Sequence, residues 1–294
     1  MTDDNIQSPV LRAAYVECER LAREHYENFP VASWLLPVGM RPHVAAVYAF
    51  ARGADDIADE GVRPADERLR GLDDWRNRLH ACADVEGCNP DDQIFVALGA
   101  TIRQCRLPLS LFDDLLSAFR QDITMHRYET WAGVLDYCSR SANPVGRLVL
   151  RIAGYDDPRL DRSSDALCTG LQLTNFWQDF GRDWRAGRLY VPLEDVASCH
   201  ADLTDLSESR MTDAWRCALS RVTGRTRALF EAGRAVCDGV SGRLRFELRL
   251  TWLGGSRILD RVVGGGFDVL SRRPALGAAD APSILVRALA WKRT

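Results

Sequence analysis

Across 10–236 the apolar residues of this chain return every three or four positions, and apolar–polar alternation over six or more residues is nearly absent. The first spacing belongs to a helix that buries one face, the second to a half-buried strand. An all-α fold is therefore expected. The periodic segments run over 10–24, 44–58, 94–105, 109–123, 145–153, 165–184 and 212–236. Prolines and glycines that end helices stand between them: Pro30, Pro37 and Pro42; Gly61 and Pro64; Gly87 and Pro90; Pro108; Gly154 and Pro158; Gly187 and Pro192; Gly264, Gly265 and Gly266. Ser110, followed by Asp113 and Asp114, and Thr212, followed by Asp213, are expected at helix starts. No repeat and no low-complexity linker divides the 294 residues, which read as one domain, 1–294, of ten or more helices.

Composition narrows the partners. With 46% hydrophobic and 27% charged residues the chain has the balance of a soluble globular protein with a large core. Its net charge of −3 leaves no basic footprint for nucleic acid, although Lys292 is the only lysine among 38 basic residues and the rest are arginine. No apolar run reaches the ~18 residues of a membrane span. The first eight residues are polar and acidic, unlike a secretory signal, so a cytoplasmic protein is expected. Nine scattered cysteines without a Cys-x-x-Cys pair read as reduced, mostly buried thiols. The five histidines are dispersed, with only Cys199-His200 adjacent to a thiol, so zinc is not expected.

Two polar stripes interrupt the apolar pattern. Tyr48, Arg52, Asp55 and Asp59 fall on one narrow face at about 100° per residue. Their helix is otherwise apolar through Val44, Ala45, Val47 and Ala51. Carboxylates on such a helix are costly unless something positive satisfies them. Taken alone, this stripe is equally well a solvated helix end with Arg52 paired to Asp55. A second stripe changes the balance: Gln172, Asn175, Asp179 and Asp183 are spaced by three, four and four, among Leu171, Leu173, Phe176, Trp177 and Phe180. Both stripes carry oxygen donors and neither carries histidine or thiolate, which points away from zinc and iron and toward magnesium. Two such stripes suit a metal cluster that clamps a diphosphate.

That chemistry sets further requirements. Metal ions neutralise a diphosphate and let its carbon–oxygen bond ionise. The carbocation then needs a dry apolar and aromatic pocket. Phe29, Trp34, Phe50, Phe176, Trp177 and Phe180 lie in or near the stripes as candidate walls, with plain core as their other reading. Arg52, Arg188 and Tyr190 can meet phosphate oxygens, the arginines as forked donors.

These residues resemble the head-to-head isoprenoid synthases, the squalene and phytoene synthase family, over nearly the whole length. The stretch 28–37, Asn-Phe-Pro-Val-Ala-Ser-Trp-Leu-Leu-Pro, looks like the family's N-terminal substrate segment. The segment 48–59 looks like its first aspartate-rich motif, 172–183 like its second, and 188–192, Arg-Leu-Tyr-Val-Pro, like the phosphate-side segment that follows. The resemblance implies an all-α isoprenoid-synthase bundle with a central cavity. It further implies that Asp55, Asp59, Asn175, Asp179 and Asp183 hold magnesium, and that Tyr48, Arg52 and Gln172 contact diphosphate or support the ligands.

One segment departs from the common family text. Where many members carry Tyr-Cys-x-x-Val-Ala-Gly-x-Val-Gly, this chain has Tyr137-Cys138-Ser139-Arg140-Ser141-Ala142-Asn143-Pro144-Val145-Gly146. Asn143-Pro144 is expected to break a helix. The text resembles the bacterial hopanoid branch, which implies conversion of presqualene diphosphate and water to hydroxysqualene without NADPH. Ser139 and Asn143, four residues apart, are candidates to hold the water or set specificity, and a capping role at the break is the other reading of Asn143. The chain has no dinucleotide fingerprint. Alternative activities are condensation of two farnesyl diphosphates, to presqualene diphosphate or squalene, and terpene cyclisation, whose second metal motif the segment 175–179 does not fit. A non-catalytic assembly factor on the same fold would be expected to have lost metal ligands, and all five are present.

Substrate and product in this reading are C30 lipids. A peripheral membrane contact and handover to other squalene-pathway enzymes follow as expectations. The contact candidate is 283–293, with Ile284, Leu285, Ala288 and Trp291 as an apolar face and Lys292 and Arg293 as a basic end; a last helix docked on the core is the favoured alternative.

Overall fold

The computed structural model describes residues 8–24, 35–59, 63–84 and 87–292. Among them every regular element is a helix, and the one β-type pairing is an isolated parallel bridge between Arg127 and Leu189. Of the expected segment 28–37, residues 28–34 with Phe29 and Trp34 lie outside the described residues, as does Arg293. The chain's contacts group into two compact units, Met1–Thr124 with Arg147–Asp156, and Met125–Gly146 with Asp157–Thr294.

The first unit holds α1 (Pro9–Glu24), α2 (Arg41–Asp59), α3 (Ala65–Ala83), α4 (Gln93–Cys105) and α5 (Leu109–Thr124). Its helices α1, α2 and α4 meet through small residues: Ala14, Cys18 and Ala22 against Ala45, Ala46 and Ala49, with Ala97 and Ala100. A second core lies under α2, where Phe50 packs edge-on against Phe95 and Phe112, and Trp75 of α3 donates its indole N–H to the Phe50 carbonyl at 3.3 Å. Phe50 is therefore core, not pocket wall. One buried polar group interrupts this apolar interior. The Tyr15 hydroxyl lies 3.2 Å from His43 Nδ1 and 3.0 Å from Thr101 Oγ1, and His43 Nδ1 lies 3.0 Å from that same Oγ1. The three partners satisfy one another, as buried polar groups must.

The chain continues through α6 (Trp131–Ser141) and α7 (Asn143–Ile152), separated at Ala142 where Asn143-Pro144 was expected to break a helix. The second unit then adds α8 (Pro158–Gln178), α9 (Phe180–Arg185), α10 (Leu193–Ser198), α11 (Leu203–Ser207), α12 (Asp213–Gly233), α13 (Val236–Gly239), α14 (Gly242–Gly264) and α15 (Ala281–Leu289). The principal packing of this unit is α8 against α12. Gly233 permits it: a Cβ there would stand 2.6 Å from the backbone nitrogen of Leu167. Trp177 is fully buried and donates to Thr226 Oγ1 at 2.9 Å, and Phe180 lies against Trp215, so both of these aromatics are core as well.

Several sequence expectations are corrected. The segment 165–184 is not one helix: α8 begins earlier, behind the Asp157 cap, and stops at Gln178, with Asp179 as a hinge before α9. The segment 212–236 likewise divides after Gly233. Ser110 does not cap α5, which starts at Leu109 behind Pro108. Thr212 does stand at the start of α12, but its hydroxyl donates to Asp205 instead of capping the helix. The cysteines are not all reduced. Cys199 and Cys217 form a disulfide, because the packing of α10 against α12 brings their Cα atoms to 5.9 Å; seven described cysteines are free. No helix among the described residues is long and apolar enough to cross a membrane.

Candidate active site

The first stripe runs along α2. Nine residues of this helix are buried, and Tyr48, Arg52 and Asp55 are half-buried on another face, with Asp59 exposed at its last position. Tyr48 rests its ring on the small-residue core. Arg52 reaches Asp55 only at 3.7 Å and holds Asp56 more tightly, Nη2 to Oδ1 at 2.6 Å. The pairing expected with Asp55 is thus mainly one with Asp56, one residue further round the helix. The buried Nε of Arg52 has no hydrogen-bond partner among the described residues.

The second stripe survives the hinge. Asp179 N donates to the Asn175 carbonyl at 2.8 Å, and Asp183 N to the Asp179 carbonyl at 2.9 Å, so the i, i+4 register passes unbroken from α8 into α9. Asn175 Nδ2 donates to Asp179 Oδ2 at 3.1 Å. Gln172 lies half-buried one turn earlier. Asp183 is largely buried, and that burial pushes its carboxyl up to about 6; the Asp179 charge adds to the shift, while Arg188 and Arg182 oppose it. Arg188 Nη2 stands 3.8 Å from Asp183 Oδ1.

Arg188 begins the segment that adjoins this second stripe. Leu189 N donates to the His126 carbonyl and Leu193 N to the Tyr128 carbonyl, which fixes 188–193 beside 126–129. The Tyr190 ring then lies flat on Phe176, with centroids 3.6 Å apart and planes within 1°. Tyr128 and Tyr137 flank Tyr190 at 5.9 and 6.2 Å. Of the described aromatics proposed as walls, Phe176 is the one that joins this cluster.

Ser139 and Asn143 are not presented together on one helix face. Ser139 is exposed near the end of α6, its hydroxyl donating to the Asp136 carbonyl at 2.6 Å. Asn143 opens α7 and is half-buried, its Oδ1 accepting from Thr169 Oγ1 of α8 at 2.9 Å. The break at Ala142 separates them.

Sequence reasoning missed Arg273. Its guanidinium grips Asp179, Nε toward Oδ1 and Nη2 3.2 Å from Oδ2. The loop that carries it is fixed at two more points: Gln178 Nε2 donates to the Pro274 carbonyl at 2.6 Å, and Gly181 N donates to the Val269 carbonyl at 3.3 Å. Nothing in the local sequence around Arg273 marks this role.

Among the described residues no three His, Cys, Asp or Glu side chains form a metal cage. The carboxylates come instead as i, i+4 pairs, Asp55 with Asp59 and Asp179 with Asp183. That donor set fits magnesium, which is commonly held by one or two carboxylates and completes its shell with water and substrate phosphate.

An all-helical fold with an oxygen stripe beside stacked aromatics defines the class of helical isoprenoid synthases. The chain belongs to the squalene/phytoene synthase family, whose model matches residues 22–280. It is similar to the hydroxysqualene synthase of Sinorhizobium fredii, 35% identical over 229 residues, covering 77% of this chain and 76% of that one. It is similar also to the hydroxysqualene synthase of Zymomonas mobilis, 37% identical over 208 residues, 70% and 68% of the two chains. Its structure resembles that of squalene synthase HpnC from Alicyclobacillus acidocaldarius, with a TM-score of 0.82 at 42% identity, covering 88% of this chain and 97% of that one.

Proposed function

We propose that the chain converts presqualene diphosphate and water to hydroxysqualene and diphosphate, a magnesium-dependent carbon–oxygen lyase reaction. The observation that carries the reading is the stretch 175–190, which assembles the Asn175–Asp179–Asp183 stripe, the Arg188 guanidinium and the Phe176–Tyr190 stack within one local structure. The hydroxysqualene synthases to which the chain is similar support the choice of product.

Asn175, Asp179 and Asp183, and on α2 Asp55 and Asp59, are the residues that would hold magnesium. Bound there, the metal neutralises diphosphate charge and so favours ionisation of the carbon–oxygen bond. Arg188 and Arg52 offer forked donors to phosphate oxygens, with Tyr48, Gln172 and Tyr190 as further polar contacts. The cluster of Phe176, Tyr190, Tyr128 and Tyr137 offers aromatic faces that exclude stray water and favour positive charge. Asn143 is the stronger water candidate. Thr169 takes its Oδ1, which fixes the amide, and its two N–H donors would then hold a water through one of that water's lone pairs. The other lone pair of that water forms the new carbon–oxygen bond, and its proton leaves with diphosphate. Ser139 is the weaker candidate, since its hydroxyl hydrogen is committed to Asp136. A cytoplasmic enzyme of C30 lipids would pass its product to other squalene-pathway enzymes.

The test is incubation of purified protein with presqualene diphosphate and magnesium in ¹⁸O-labelled water, with and without NADPH. Labelled hydroxysqualene in both arms is expected. Squalene formed only with NADPH would overturn the assignment in favour of reduction. Presqualene diphosphate accumulating from farnesyl diphosphate would favour condensation.

A further inference from the structure

The helix α15 is apolar on two sides, and only one of them is covered by the described residues. Ala288 is fully buried and Ile284 half-buried where α15 packs on α14. The chain continues past the helix to Trp291, whose ring stands edge-on to Trp252 at 5.3 Å and whose N–H donates to Asp238 at 3.3 Å. The expected face of Ile284, Leu285, Ala288 and Trp291 is therefore corrected: Leu285 belongs to the other side. There Leu285, Val286 and Leu289 are 43%, 63% and 74% exposed. Their spacing puts them on one stripe about 100° wide, with Pro282 one turn before.

A cationic pocket of about 360 Å³ adjoins this helix, lined by Arg234, Arg287 and Lys292 with Trp252 and Trp291. Arg234 stacks 3.8 Å over the Trp291 ring and donates to the Lys292 carbonyl at 2.8 Å, which ties the chain after α15 to one wall of the pocket. Several arginines of α12 and α14 have carboxylate partners: Arg249 with Asp238, Arg257 and Arg261 with Asp280, Arg227 with Asp260. Among the described residues no carboxylate pairs with Arg234, Arg287 or Lys292. In a chain of net charge −3, this end of the second unit keeps uncompensated positive charge beside an uncovered apolar stripe.

We infer that this face docks on an anionic phospholipid bilayer, with Leu285, Val286 and Leu289 in the acyl boundary and a lipid phosphate in the Arg234–Arg287–Lys292 pocket. The two features call for the same occupant. Apolar side chains beside cations match the boundary between acyl chains and anionic headgroups. A second copy matches them poorly, because an isologous contact brings like cations together and three side chains fall far short of a stable interface. The inference rests on α15 and its pocket alone and stands apart from the reaction proposed above.

Co-sedimentation of the full chain with vesicles tests it. One set is pure phosphatidylcholine and the other contains phosphatidylglycerol as well. Binding to the anionic set is expected to exceed binding to the neutral set by about tenfold or more, and to weaken with added salt. Two variants should each lower it by about tenfold or more: Leu285→Gln with Leu289→Gln, and Arg287→Gln with Lys292→Gln. All four residues are surface positions, so circular dichroism should match wild type. Equal binding to both vesicle sets, no binding to either, or unchanged binding in either variant overturns the inference. So does calorimetric binding of inorganic phosphate without vesicle binding, which makes the pocket a soluble-anion site. A dimer in sedimentation that the leucine variant dissolves assigns the stripe to a second copy and equally overturns it.

Discussion

Arg273 holds both carboxylate oxygens of Asp179 from 94 residues further along the chain. Any cation that takes the Asp179 oxygens must therefore share them with, or take them from, a guanidinium.

Asp179→Ala follows from that relationship as the sharpest test of the stripe. Arg273 is already 37% exposed to solvent in the ion pair, so losing the pair costs only about 1 kcal/mol or less and the fold should persist. The proposed chemistry loses a ligand, and diphosphate release should fall by about a hundredfold or more. Asp55→Ala should behave alike. The measurements are diphosphate release and far-ultraviolet circular dichroism. Wild-type rates in either folded variant, or in excess EDTA, would remove magnesium from the reading.

The two stripe arginines differ in their starting states. Arg52 is engaged by Asp56 at 2.6 Å, whereas Arg188 stands 3.8 Å from Asp183. Lysine at either position keeps the charge and loses the fork. Arg52→Lys and Arg188→Lys should each raise the KM for presqualene diphosphate by roughly three- to tenfold. Steady-state kinetics at fixed magnesium read this directly, and unchanged KM and kcat in both variants would make these arginines structural.

The buried triangle of Tyr15, His43 and Thr101 gives a pH dependence of stability. Burial lowers the His43 pKa below its ordinary 6.5, and burial also pushes the Tyr15 hydroxyl up to about 12. Well above pH 6.5 His43 is neutral in both the folded and unfolded chain, so it contributes no slope there. Below that, the unfolded chain binds a proton that the folded chain resists, and stability falls as pH falls until the folded imidazole also protonates. The urea midpoint of the wild type should drop as the pH falls from about 7 through 6.5, with this group contributing at most about 1.4 kcal/mol per pH unit. His43→Gln should be less stable at neutral pH but flatter across that window. An equal slope in both proteins would show that other groups dominate.

Legibility in the sequence tracked locality. The helices α1, α2, α4 and α5 were legible because each buries a stripe that the three–four period reveals. Among the helices that were not are α3, α6 and α14. In α3 the buried stripe of Leu72, Trp75, Leu79 and Cys82 is narrow amid dense charge; α6 buries only Val134, Tyr137 and Cys138; α14 carries Gly254 and Gly255 in its middle. Both polar stripes were legible for the same local reason, since i, i+3 and i, i+4 neighbours share a helix face. The partners that arrive from distant sequence were not. Arg273 on Asp179, Thr169 on Asn143 and Cys217 on Cys199 all depend on tertiary packing that no spacing encodes.

Gly181 ties that tertiary packing to the site. It sits midway between Asp179 and Asp183, and its N–H donates to the Val269 carbonyl. A Cβ at this position would stand 2.3 Å from the Leu270 carbonyl oxygen and 2.9 Å from its carbon. Both are backbone atoms, so no rotamer change relieves the clash. Either α9 moves away or the 269–274 loop moves, and that loop carries Arg273. Gly181→Ala should cost about 1–3 kcal/mol, lowering the melting temperature by roughly 3–10 °C. Activity should fall by about tenfold or more, since a displacement near 1 Å at a positioned group costs on that order or beyond. Gly224→Ala is the control. It lies in α12 with nothing within 4 Å of its would-be Cβ, and should be neutral or stabilising by up to about 1 kcal/mol. If Gly181→Ala melts and turns over like Gly224→Ala, the contact at Leu270 does not hold the stripe in place.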